Sequence, residues 1–128
     1  MGLYYKSTRN SNLKVTASEA ILKGLAPDGG LFVPSELPKL DVTMSDLKGK
    51  TYQEIAYLVM KQFLTDFTEE ELKNCIDKAY DSKFDIEEIA PLVKVDDTYY
   101  MELFHGATIA FKDMALSLSL IHISEPTR

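Results

Sequence analysis

The sequence has no tryptophan, one cysteine and two histidines among its 128 residues. A lone Cys75 cannot form an internal disulfide, which fits a reducing compartment. No second His, Cys or carboxylate stands at ligand spacing from His105, so no metal site is expected. Positive charge is short as well. Fourteen Lys plus Arg against twenty Asp plus Glu leave a net −6. That balance lacks the basic footprint of a nucleic-acid binder, and an anionic membrane surface would repel it. No apolar run reaches the roughly 20 residues that cross a bilayer. The first ten residues are polar and carry no signal-peptide stretch, so a cytoplasmic protein is expected. Internal repeats and low-complexity segments are absent too.

What is present is ordinary globular composition, 45% hydrophobic and 27% charged. Residues 3–8 are rich in β-formers and read as a short strand. Thr16 with Glu19, Thr51 with Glu54 and Thr68 with Glu71 each place a hydroxyl three residues before a carboxylate. Such a pair satisfies two orphan backbone donors, so each marks a helix start. The first helix stops at Gly24. The second carries Tyr52, Ile55, Ala56, Val59, Met60 and Phe63 as an apolar stripe, and the third Leu72, Cys75, Ile76, Ala79 and Tyr80. Cys75 on that stripe reads as an inert core thiol. Gly29 and Gly30 read as a turn before a short strand at 31–33, since no G-x-G-x-x-G spacing supports a phosphate cradle. Residues 37–50 read as irregular linkage. One helical turn is expected at 85–88, and two β-rich runs about Asp96-Asp97-Thr98 predict a hairpin. A last helical pattern runs from Thr108 through Phe111, Met114, Ala115 and Leu118.

Chemistry concentrates in residues 102–113, which join a strand to a helix through small residues and bring His105, Thr108, Lys112 and Asp113 close in sequence. In α/β folds such a junction lies where ligands bind. Lys112 follows Ile109, Ala110 and Phe111, and apolar surroundings would favour the neutral amine that Schiff-base chemistry needs. The bland alternative is a lysine that snorkels from an apolar helix and pairs with Asp113 or a neighbour. For His105 it is a hydrogen-bonded residue at a strand end.

The run Glu102-Leu103-Phe104-His105-Gly106-Ala107-Thr108-Ile109-Ala110-Phe111-Lys112-Asp113 resembles the cofactor-lysine motif of the threonine synthases. Ser7-Thr8-Arg9-Asn10 and the later run Gly24-Leu25-Ala26-Pro27-Asp28-Gly29-Gly30-Leu31-Phe32-Val33-Pro34 resemble that family's N-terminal signature. The resemblance implies an α/β chain with a small N-terminal α+β domain at residues 1–90. The start of a pyridoxal phosphate (PLP) dependent domain, like the tryptophan synthase β subunit, follows at 91–117. It further implies conversion of O-phosphohomoserine and water to threonine and phosphate, with Lys112 holding PLP and moving protons. His105, Gly106 and Thr108 fall in the motif as candidate substrate-binding residues. Ala107 departs from it, because many members carry proline there, and a looser turn is expected. The family's phosphate-binding glycine loop and pyridine partner are expected downstream of Lys112, so the 128-residue chain is expected to be inactive alone.

Residues 118–128 resemble, codon for codon, a translation of the transposase-adapter DNA used in sequencing libraries. They are expected to be a non-native tail after a biological sequence ending near Ser117, which leaves His122 and Arg128 without a functional reading. Two rival functions stand beside the enzyme. One is a stand-alone interaction module that leaves Lys112 unemployed. The other is a different PLP enzyme of the same fold, which the N-terminal signature disfavours.

Overall fold

The computed structural model describes residues 2–124, with side chains through residue 119. The part of the expected tail at 125–128 lies outside the described residues. The chain opens with strand β1 (Tyr5–Ser7), helix α1 (Ala17–Lys23) and strand β2 (Phe32–Pro34). β1 and β2 pair antiparallel, with Tyr5 opposite Pro34 and Ser7 opposite Phe32. Helices α2 (Met44–Leu47), α3 (Tyr52–Phe63) and α4 (Glu69–Ala79) follow. A hairpin of β3 (Leu92–Val95) and β4 (Thr98–Met101) comes next, then helix α5 (Asp113–Ser124). Asp96 in the hairpin turn adopts a left-handed φ of 53°.

The three expected capping boxes form, each with reciprocal bonds between the threonine and the glutamate. A fourth, Thr43 with Asp46, starts α2 inside the stretch expected to be irregular. Aspartate at the third position closes the box where Glu or Gln is the usual partner, and a four-residue helix has no stripe to announce it. The turn expected at 85–88 forms no regular helix.

The core lies where α3, α4 and α5 meet. Ala56, Leu72, Ile76, Ala79, Tyr80, Phe84 and Ile89 are buried together, and Met60, Phe67, Met114 and Leu118 pack against them. From the stripes read in the sequence, Tyr52, Ala56 and Met60 of α3 thus meet Leu72, Ile76 and Ala79 of α4 and Tyr80 at its end. Tyr80 is the polar pin of this core. Its ring meets Tyr52 edge-on at 4.9 Å between centroids, and its hydroxyl donates to the Met114 carbonyl at 2.5 Å. Burial, and then the neighbouring Tyr52, push the Tyr80 phenol far above its ordinary range. Cys75 is half-buried in a small apolar cavity with Ile21, Phe67, Leu72 and Leu118.

The N-terminal signature is a hydrogen-bonded lock. Ser7, 3% exposed, donates to Asp28 Oδ1 at 2.7 Å, and the Gly30 amide donates to the same oxygen at 2.9 Å. Thr8 Oγ1 accepts from the Leu31 amide, and Arg9 Nη1 donates to the Asp28 carbonyl. The Gly29 amide goes to the Ala26 carbonyl. Both glycine amides are thus spent inside the turn, as the turn reading requires. Position 30 also has no room for a side chain, since a Cβ there would stand 2.2 Å from Ser7 Oγ. Two short motifs twenty residues apart are therefore one structural unit.

Candidate functional site

His105, Gly106, Thr108 and Lys112 share one irregular segment between β4 and α5. The helix expected from Thr108 begins at Asp113 instead. Ile109 explains the delay, with a φ of 66° that no right-handed helix contains. A β-branched residue is strained there. The strain is held by the Ile109 amide donating to the Gly106 carbonyl at 3.1 Å and by bonds from the neighbouring Thr108 to Asp113.

Asp113 organises the segment. It is 4% exposed at the first turn of α5. Its Oδ1 accepts from the Thr108 hydroxyl at 2.6 Å and its Oδ2 from the Thr108 amide at 3.0 Å. Gly106 lies directly against it, so that a Cβ at 106 would stand 2.5 Å from Oδ2 and 2.6 Å from the aspartate Cβ. Glycine at 106, a hydroxyl at 108 and aspartate at 113 thus fit one another. In this arrangement the Thr108 hydroxyl is spent on Asp113.

His105 is engaged just as fully. Its Nδ1 lies 2.5 Å from Asp85 Oδ1 and its Nε2 2.9 Å from Glu102 Oε1. The Glu102 hydrogen bond, and then Asp85, raise the imidazole pKa above its usual value, against an opposing effect of burial. The His105 carbonyl also accepts from the Asp85 amide at 3.0 Å. Neither partner was a sequence candidate. Glu102, three residues away, was open to inspection. Asp85, twenty residues away, carried no signal.

Lys112 is exposed, and so are its neighbours Ile109 (71%) and Phe111 (74%). The apolar surroundings suggested by the sequence therefore do not enclose the amine. Lys112 lines an open groove of about 600 Å³ with Tyr52, Met101, Leu103, Phe111 and Met114. No helix of the described residues is long and apolar enough to cross a membrane. No group of three His, Cys, Asp or Glu among them could hold a metal ion.

Comparison with known proteins gives one family. The family model described as threonine synthase N terminus matches residues 4–80. A threonine synthase of Schizosaccharomyces pombe is 43% identical over 116 residues, covering 88% of this chain and 22% of that protein. One from Methylobacillus glycogenes is 36% identical over 124 residues, covering 89% of this chain and 26% of its own length. Among solved structures, a PLP-bound threonine synthase from Brucella melitensis superposes with a TM-score of 0.84 at 33% identity. It covers 99% of this chain and 29% of that one. The yeast threonine synthase structure gives the same TM-score at 35% identity, covering 94% of this chain and 25% of that one. The chain spans about a quarter of the length of these relatives. With the family model matching more than half of its residues, the chain belongs to the threonine synthase N-terminus family.

Proposed function

We propose that this chain is part of a PLP-dependent threonine synthase, a carbon–oxygen lyase that converts O-phosphohomoserine and water to threonine and phosphate in the cytoplasm. One observation carries the reading beyond family membership. A lysine in a strand-to-helix junction, Lys112, stands exposed at an apolar groove on a segment that Thr108 bonds to Asp113. An accessible amine fits covalent attachment of the cofactor aldehyde, and the walls offered by Tyr52, Leu103 and Phe111 fit a flat ring. The PLP, when bound, supplies an electron sink for cleavage at the substrate's carbon atoms.

In this reading Lys112 holds the cofactor and, once released, holds and moves a proton at Nζ. Thr108 and Gly106 keep Lys112 in register through Asp113, and His105 ties the same segment to the preceding domain. Any contact of His105, Gly106 or Thr108 with substrate requires that these bonds be shared or exchanged. Residues 1–90 are read as a small domain and 91–117 as the beginning of the catalytic one. The exposed hairpin residues Leu92, Val95, Tyr99 and Met101 suit an element that other structure covers.

The test is a chimera in which residues 1–117 replace the matching segment of the S. pombe threonine synthase. It is expected to restore growth of a threonine auxotroph without threonine, and its Lys112→Ala variant is expected to fail. Growth supported equally by the Lys112→Ala variant would overturn the proposal.

A further inference from the structure

We propose that His105 is a positioning residue for Lys112: clamped between Asp85 and Glu102, it fixes the loop whose Gly106 and Thr108 seat Asp113, the residue next to the lysine. The proposal rests on reading Lys112 as the cofactor anchor, and it moves His105 from a group that touches substrate to one that acts through the loop.

The geometry asks for a specific protonation state. An ionised carboxylate only accepts hydrogen bonds, and a neutral imidazole has a single N–H. Contacts from Nδ1 to Asp85 and from Nε2 to Glu102 are both satisfied only by the imidazolium. Among the described residues, the charged groups against the ring are these two carboxylates, Asp85 from the connection after α4 and Glu102 just after β4. The His105 side chain is 11% exposed, and its ring lies on Phe104 at 4.4 Å between centroids. The Asp85 amide bond to the His105 carbonyl ties the backbone at the same point.

From there the contacts run without a break. Gly106 follows His105 and is pressed against Asp113, Thr108 gives Asp113 both of its bonds, and Asp113 follows Lys112. Loss of the imidazole proton leaves a lone pair facing a carboxylate oxygen. One arm of the clamp becomes repulsive, and the strained turn at Ile109 loses part of what holds it. The clamp is therefore closed while His105 is protonated and both carboxylates are ionised, and it opens as pH rises through the elevated pKa of His105.

The test is an NMR titration of the 128-residue chain between about pH 5 and 9, following the His105 ring and the amides of Gly106, Thr108 and Lys112. The expected result is a ring midpoint above about 6.5, with the three amides shifting at that same midpoint. Glu102→Gln is expected to lower the midpoint. His105→Gln is expected to abolish the pH-dependent movement of the Lys112 amide while α3 and α4 signals stay in place. A ring midpoint at or below about 6.5 overturns the proposal. A Lys112 amide that stays still while His105 titrates does the same. Capture of PLP by Lys112 is measured separately, in the chimera of residues 1–117 with the S. pombe enzyme. Coupled titration without capture would count against the cofactor reading alone, and capture without coupled titration would count against the clamp alone.

Discussion

Replacing Gly106 by alanine isolates the lock beneath the lysine. Gly106 does not have a positive φ, so alanine brings no backbone penalty of the left-handed kind. The cost is contact alone. The new Cβ would stand 2.5 Å from Asp113 Oδ2, 2.6 Å from its Cβ and 2.8 Å from its Cγ. Movement of the carboxylate tip alone does not relieve the contact, because the Asp113 Cβ is fixed to the first turn of α5. If the backbone gives way, overpacking costs about 1–3 kcal/mol. If Asp113 shifts and its carboxylate swings aside instead, it gives up both bonds to Thr108 while staying buried, which costs about 1–3 kcal/mol. Either route gives an expected loss of about 1–3 kcal/mol, read as a fall of roughly 0.5–1.5 M in the urea midpoint at a slope near 2 kcal/mol/M. The Thr108 amide should also lose protection from hydrogen exchange. A Gly106→Ala variant within about 0.5 kcal/mol of the parent, with Thr108 still protected, would refute the steric argument.

Other expectations follow from the same contacts. Ile76 is 1% exposed at the centre of the helical core, so Ile76→Ala should cost about 2–5 kcal/mol in urea unfolding. Thr68→Ala removes a complete capping box from α4 and should cost about 1 kcal/mol, with the α4 amides losing protection first. Lys112 is exposed, so Lys112→Ala should leave stability within about 0.5 kcal/mol while removing any PLP adduct. His105 has a raised folded pKa, so its contribution to stability is full below the unfolded value of about 6.5 and is lost as pH rises through the folded one. Unfolding midpoints taken across that range should fall with pH in the parent and flatten in His105→Gln.

The helices were legible where side chains advertise their ends. Thr16, Thr51 and Thr68 each met a glutamate three residues on, and the stripes of α3 and α4 proved to face one core. Asp46 gives less notice, because glutamate or glutamine is the usual partner in such a box and α2 is too short to show a period. The start of α5 was misplaced for a different reason. Met114 and Leu118 do pack on the core at helical spacing, but Ile109 takes a backbone angle that its residue type gives no warning of. Bonds from Thr108 to Asp113, five residues on, hold the turn around it, and periodicity does not record them. The same limit applies at the site. The motif placed Lys112, His105, Gly106 and Thr108 on one junction. That Thr108 serves Asp113, and that Asp85 reaches His105 from twenty residues away, became visible only in three dimensions.

The most direct measurement is the site of covalent cofactor attachment. The chimera carrying residues 1–117 is incubated with PLP, reduced with borohydride and digested for peptide mass analysis. The account predicts one dominant phosphopyridoxyl adduct on Lys112, absent from the Lys112→Ala variant. An active chimera that carries its adduct on another lysine, with Lys112 unmodified, would contradict it.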